Sequence, residues 1–270
     1  MRSSASVVLV PLLLLARPAG AVEPLDTFNL RIGGYATDFD TRVRADGETR
    51  EGTDIDLSRD LGLDKSNTVG LVGLTWRPFN RHQFDLSYYN DDADARRQLT
   101  RDISFKDTTY TATSTVKAKF DLDAYDLDYT YWLFQRERWA LGPRVGLVWY
   151  QVALEVELSV DTGGGTVGGQ RREEVDADLP APAIGAAWRW APGEHWRLGA
   201  DIGYFTANIN DIDADVTYGR AGVEWYPWQR WGFWLDYTAR RIDADADTSS
   251  FTGNLRFTDS GLRAGVSYRF

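Results

Sequence analysis

The feature that most restricts this chain is a period-two alternation in which both faces are unusual. Leu262, Ala264, Val266, Tyr268 and Phe270 share one face of an extended strand, and Gly261, Arg263, Gly265, Ser267 and Arg269 share the other. The pattern recurs upstream. Trp231, Phe233, Leu235 and Tyr237 oppose Gly232, Trp234, Asp236 and Thr238; Trp196, Leu198, Ala200, Ile202 and Tyr204 oppose Arg197, Gly199, Asp201 and Gly203. Tyr125, Leu127, Tyr129, Tyr131 and Leu133 oppose Asp126, Asp128, Thr130 and Trp132. A soluble sandwich would pack the apolar face on a second sheet. Here the other face mixes charges of both signs with glycine, which suits the inward lining of a narrow barrel whose apolar face meets lipid.

Turn lengths point the same way. Pro78–Arg81, Phe134–Arg138, Ala191–His195 and Pro227–Arg230 are short, while long polar stretches such as Asp161–Asp178 lie between them. Transmembrane barrels have short periplasmic turns and longer outer loops. Under that rule ten strands fit, roughly 28–44, 67–78, 82–97, 117–133, 139–158, 180–190, 196–209, 213–226, 231–244 and 257–270, with both ends periplasmic. The segment Glu48–Ser58 reads as an outer hairpin. If it spans, a further strand must join it, so eight or twelve strands stay open beside ten. Ten of the eleven tryptophans lie within four residues of a short turn, Trp149 being the exception. That is the placement of an interfacial aromatic girdle. Alternation shifts parity between Val145, Leu147 and Trp149 and the run Val152, Leu154, Val156 and Leu158, which marks either a bulge or a wall continuing above the membrane. The fold expected is all-β: one antiparallel transmembrane barrel over residues 22–270.

The first residues read as an export signal. Arg2 supplies positive charge, Ala5–Ala16 is almost wholly apolar, and Ala19-Gly20-Ala21 fits a signal-peptidase site, so residues 1–21 are expected to be removed and Val22 to begin the mature chain.

At this point the chain resembles a known group. The signal, the alternating strands, the aromatic-flanked short turns and the Tyr268-Arg269-Phe270 ending are similar to small outer-membrane β-barrels of Gram-negative bacteria, the OmpA-like and OmpW-like superfamily. The resemblance implies residence in the outer membrane among its lipids and lipopolysaccharide. It also implies that Tyr268 and Phe270 form part of the signal read by the outer-membrane assembly machinery.

Composition narrows the function. No cysteine is present, which removes disulfides, thiol catalysis and Cys-based zinc sites. Forty acidic residues stand against thirty basic ones, so nucleic acid is a poor partner. The two histidines, His82 and His195, sit beside short turns, on the side away from the outer loops where histidine-dependent barrel enzymes work. Acidic triplets at Asp211, Asp213 and Asp215, at Asp243, Asp245 and Asp247, and at Asp91, Asp92 and Asp94 could offer hard oxygen ligands to Ca²⁺ or Mg²⁺ but lack a closing loop; solvated wall residues are the simpler reading. No cofactor is expected.

The interior carries the main expectation. Arg31, Asp85, Asp126, Asp128, Arg144, Arg197, Asp201, Arg220, Glu224, Asp236, Arg240 and Arg263 share lumen parity, with Arg77, Arg189 and Arg269 toward the periplasmic mouth. Opposite charges there would form a plug, giving a non-enzymatic barrel with an envelope-structural or surface-interaction role. The alternatives are a narrow passive channel for small solutes and, third, an outer-membrane hydrolase or lipid-modifying enzyme.

Overall fold

The computed structural model describes residues 22–46, 51–105, 108–112, 114–159, 172–209, 212–247 and 252–270. Ten long strands form the wall: β1 (Phe28–Ala45), β2 (Ser66–Phe79), β3 (His82–Gln98), β4 (Thr115–Tyr131), β5 (Trp139–Ser159), β6 (Arg172–Trp190), β7 (Trp196–Ile209), β8 (Ile212–Trp225), β9 (Trp231–Asp247) and β10 (Thr252–Arg269). Each pairs antiparallel with the next, and β10 returns to β1 from Asn29↔Arg269 to Ala45↔Gly253, so the sheet closes. Closure is what lipid demands, since an open edge would leave backbone N–H and C=O groups without partners. The expected export signal, residues 1–21, lies outside the described residues, as do residues 160–171 of the longest polar stretch. The part from Arg172 onward joins β6, which therefore starts eight residues before the expected position 180.

Side chains alternate as the sequence demands, but their polarity inverts along the axis. At the short-turn end Ile32, Leu86, Leu127, Val145, Ile184, Ile202, Leu235 and Leu262 all face outward and are exposed. So large an apolar surface is a lipid-facing belt. Trp76, Trp139, Trp190, Trp196, Trp225 and Trp231 border it below, and Tyr125, Trp149, Tyr204 and Tyr237 border it above. On β5 the two borders are ten residues apart, about 33 Å along the strand and about 25 Å along the axis at a tilt near 40°, the height of such a belt.

Beyond the upper border the faces exchange character. Outward positions become Lys117, Lys119, Asp121, Asp215 and Arg241, all exposed; inward positions become Val116, Ala118, Phe120, Leu122, Leu154, Val156, Val216, Ile242 and Phe257, all buried. The β4–β5 register runs unbroken from Thr115↔Ser159 to Thr130↔Arg144. The parity shift after Trp149 is thus the wall continuing into water, and no bulge is present there. With 21 residues, β5 is about 70 Å long, roughly twice what the belt needs at that tilt.

Above the belt the sheet also splits. β2 pairs with β3 only from Leu71↔Tyr89 down to the turn, and β6 with β7 only from Ile184↔Tyr204 down. Two seams therefore divide the outer wall into a lobe of β3–β6 and a lobe of β7–β10, β1 and β2. Pro180 and Pro182, two residues apart, present the same edge of β6 and offer it no N–H, which accounts for the second seam. Such unpaired edges are tolerable only in water.

Of the hairpin expected over Glu48–Ser58, residues 48–50 lie outside the described residues, and the part from Glu51 onward is different in kind. Ile55–Asp56 adds a short bridge to β1, and Leu57–Leu61 is a single-turn helix, α1, capped by the Asp56 side chain on the Arg59 N–H and ended by Gly62 at φ 81°. Leu57, Leu61 and Leu63 reach into the upper apolar core, joined by Leu99, Ile103 and Tyr110 from the next loop. The two loops are tied by Thr53 N–H to the Ser104 carbonyl at 2.8 Å and by Arg101 to Asp60 at 2.6 Å. Burial opposes the Asp60 charge, but hydrogen bonds from Arg101, Arg59 and the Asp56 N–H hold its carboxyl well below the usual carboxylate range.

Within the belt, inward glycines set how closely strands approach. Gly33 faces Gly265 across β1 and β10, under the ring of inward-pointing Trp234. A Cβ on Gly33 would collide with the Ala264 carbonyl oxygen and stand 2.7 Å from Trp234 Cζ2, whereas one on Gly70 would meet nothing. Gly33→Val is expected to cost about 1–3 kcal/mol or more in denaturant unfolding, and Gly70→Val to stay within about 0.5 kcal/mol. Equal effects of the two would contradict this packing.

Candidate functional site

Three groups of charge fill the lumen, ordered from the short-turn end upward. In the lowest, Arg197 of β7 lies opposite Glu224 of β8 in register and donates to it at 2.5 Å. The same guanidinium reaches Asp26 at 2.6 Å and the Tyr226 hydroxyl at 2.6 Å; Arg31 pairs with the other Glu224 oxygen, and Arg269 lies 4.5 Å above the Tyr226 ring. Arg77 also lies at this mouth, donating to the Asp26 carbonyl at 3.0 Å.

The middle group sits at the height of the lipid belt. Asp201 takes Arg189 at 2.5 Å and also pairs with Arg220, its opposite neighbour on β8. Asp236 and Arg263 face each other on β9 and β10 and bond at 2.6 Å. Asp128 pairs with Arg144, and Asp126 takes Arg240 at 3.4 Å. Arg144 and Arg240 each lie over the Tyr218 ring, at 4.6 and 4.7 Å from its centre. Asp85 bonds Thr75 Oγ1 at 2.6 Å and Gln83 Nε2 at 2.8 Å. Burying charges in this way is tolerable only because each finds an opposite charge or several donors.

The top group marks the change from charged to apolar interior. Asp259 accepts hydrogen bonds from the hydroxyls of Tyr35, Tyr89 and Tyr150, the last at 2.9 Å, and Arg240 donates to Tyr150 at 2.9 Å. Each tyrosine turns its hydroxyl toward the charged layer and its ring toward the apolar core above. Sequence reasoning missed Asp259 and Tyr35, although both share parity with residues it selected, Arg263 and Arg31; their place at the change of layer was invisible. Asp26 was missed because it stands before the first strand; Tyr226 lay within the expected strand 213–226 with the parity of Glu224 but carries no charge to single it out.

All twelve lumen candidates named from the sequence lie on the inward face; eleven pair with an opposite charge among themselves, and Asp85 bonds Thr75 and Gln83 instead. Two voids among them measure about 40 and 30 Å³, beside Arg31, Asp85 and Asp236 and beside Arg189, Asp201 and Glu224. By that measure each has room for about two or three waters. Toward the lower end Trp132 closes the section, fully buried, with its indole N–H on Gln83 at 3.0 Å and Arg189 over its ring. Trp132 and Trp234 are thus interior residues, a correction to the girdle expected of all the turn-adjacent tryptophans. Tyr268 and Phe270 face outward at the rim, their rings 4.7 Å apart, with Phe28 5.0 Å from Phe270.

The other candidates do not assemble. His82 bonds the Tyr129 hydroxyl at 2.8 Å on the outer surface and His195 is exposed; each is next to a short turn. Asp213, Asp215 and Asp245 are exposed on the upper outer wall, and Asp243 pairs with Arg241 and Arg256; Asp211 lies outside the described residues, and the Asp247 side chain is likewise not described. Asp91 points inward while Asp92 is exposed on the outer wall, so that set does not share one face. Among the described residues no group of three acidic or histidine side chains is arranged to hold a metal ion.

No protein-family model and no curated protein matches the sequence. Among solved structures, the outer membrane protease OmpT from Escherichia coli shares the fold with a TM-score of 0.59 at 14% identity, over 90% of this chain and 96% of that one. Neisserial surface protein A matches at 12% identity over 90% and 97% of the two chains with a TM-score of 0.32, too low to add to the argument. The chain is an all-β, ten-stranded barrel with the fold of an outer-membrane barrel, and its apolar belt independently points to a lipid-facing wall.

The network predicts unequal costs for equal chemistry. Asp201→Asn leaves Arg189 and Arg220 without their carboxylate in a closed interior and should cost about 3–5 kcal/mol in denaturant unfolding. Asp243→Asn, whose partners are half exposed, should cost no more than about 1 kcal/mol. Comparable losses would show that the lumen is hydrated as freely as the surface.

Proposed function

We propose that this protein is a non-enzymatic, non-conducting barrel of the outer membrane, with an envelope-structural role and an outer two-lobed wall that serves as an interaction surface. The observation that carries the reading is double closure of the lumen. The belt-level interior is filled by bonded charges, with voids of about 40 and 30 Å³ between them, and above it an apolar core is capped by α1 and the loop after β3. A solute would have to break several buried ion pairs and then cross the apolar core above them. The wall beyond the membrane is long, charged outside and held by its own core, as a presented surface needs to be.

In this reading outer-membrane lipids and lipopolysaccharide meet the belt and its borders, and Phe270, exposed at the rim beside the half-buried Tyr268, is open to the assembly machinery. The likeness to a protease extends to the fold only. Both histidines stand at the end away from the long loops, so a histidine-assisted hydrolysis of external substrate gains no support from their position.

Single-channel recording of the refolded protein in planar bilayers tests the proposal. The expected result is the absence of stable openings across a wide voltage range. Reproducible, ohmic openings would overturn it in favour of a narrow passive channel.

A further inference from the structure

A cleft of about 230 Å³ lies in the seam between β2 and β3 at the outer end. It is far larger than the voids in the lumen and is separated from them by the tyrosine layer at Asp259. Its apolar lining comes from Phe39 of β1, Leu57 and Leu63 around α1, and Phe120 of β4; its polar lining includes Asp91 and Asp94 of β3. Asp91 is only 5% exposed.

The partners of Asp91 set it apart. Its two oxygens accept from neutral donors, Asn67 Nδ2 at 2.6 Å and Thr37 Oγ1 at 3.2 Å. Lys65, on the same cleft, pairs instead with Asp40 at 3.6 Å. Among the described residues no arginine or lysine forms an ion pair with Asp91. The other buried carboxylates of the barrel and cap have an arginine each, except Asp259, which has three tyrosine hydroxyls. Burial raises the Asp91 carboxyl above its ordinary value, with the Asn67 and Thr37 hydrogen bonds pulling the other way. A buried carboxylate normally has its countercharge close by. Here the space beside it is open.

We infer that this cleft binds a small organic cation, an ammonium carried on a short aromatic or alkyl stem, with the ammonium on Asp91 and the stem against Phe39, Leu57, Leu63 and Phe120. Three features agree on that chemistry. The countercharge is missing at Asp91, carboxylates at Asp64, Asp92 and Asp94 outnumber Lys65 on the rest of the mixed polar and apolar wall, and two phenyl rings suit a cation beside them. Volume fits as well, since an apolar cavity of about 150 Å³ already accepts benzene. The inference goes beyond the proposed envelope role and does not depend on whether the lumen conducts.

The test is calorimetric titration of the full-length protein in detergent with phenethylamine, and separately with phenethyl alcohol, which has the same stem and no charge, each against a protein-free micelle blank. Two variants accompany it: Asp91→Asn removes the charge, and Ala93→Leu fills the cleft without touching it. The expected result is saturable amine binding to the unaltered protein, at least tenfold weaker binding of the alcohol, at least a tenfold loss in Asp91→Asn, and no binding in Ala93→Leu. If Asp91→Asn does not fold, the comparison of amine with alcohol and the Ala93→Leu result decide. Equal affinity for amine and alcohol, undiminished amine binding in the folded variants, or no saturable binding to the unaltered protein would each overturn the inference.

Discussion

Every backbone N–H and C=O inside hydrocarbon must find a partner within the protein, and the rest of this structure follows from that constraint. It forces the ten strands to close, from Asn29↔Arg269 around to Trp231↔Tyr268. Closure creates an interior that has to be filled, and lipid outside dictates that polarity goes inward. Where the wall rises past Tyr125 and Trp149 into water the constraint lifts, and two changes occur together. The sheet is free to split, at Leu71↔Tyr89 and at Ile184↔Tyr204, and the apolar side chains move from the outer face to the inner one.

The two interiors are held by different forces. Above the belt, Phe120, Leu122, Leu154 and Val156 bury apolar surface as a soluble domain does. Within it, removing seven arginines and their carboxylates from water is costly, and the cost is offset only by closely matched pairing. Arginine suits this because one planar guanidinium serves several acceptors, as Arg197 does for Asp26, Glu224 and Tyr226. Such an interior gains less from burial than from uniqueness of arrangement: each pairing fixes a strand register that glycine-rich faces alone would leave weakly specified. The tyrosines on Asp259 join the layers because a phenol offers an apolar ring to one and a donor to the other.

Much of this was legible in the sequence, for a physical reason. Strand periodicity is exact in two, and lipid on one side makes the alternation strong, so the ten strands and the parity of residues such as Asp126, Asp201, Arg220 and Arg263 can be read from spacing alone. Short turns between aromatic residues gave the order of the wall. What could not be read depends on contacts between distant strands. Asp259 becomes the meeting point of Tyr35, Tyr89 and Tyr150 only once β1, β3, β5 and β10 are placed around one axis. Trp132 and Trp76 are both turn-adjacent tryptophans; parity puts Trp132 with Asp126 and Asp128 and Trp76 on the opposite face from Arg77, but nearness to a turn, on which the girdle was read, takes no account of parity. Helix α1 is five residues long, too short for any periodic signal, and is stabilised by Asp56, Gly62 and its leucines' burial. The seam that opens the cleft near Asp91 left no trace in spacing, because β3 continues its alternation unchanged after it loses β2.

The central claim is that the outer face of the wall passes from lipid to water near Trp149 while the strand itself runs on unbroken. Because the chain has no cysteine, single Cys substitutions at Val145, Leu147, Trp149, Gln151, Ala153 and Glu155 of β5 can each carry a nitroxide without further change. In lipid vesicles, collision rates with oxygen and with a water-soluble nickel chelate measure what each label touches. The account predicts oxygen-dominated labels at 145 and 147, a crossover at 149 to 151, and chelate-dominated labels at 153 and 155. Oxygen dominance persisting through 155, or protection of 153 and 155 from both reagents, would place those side chains in lipid or in the core and contradict the inversion.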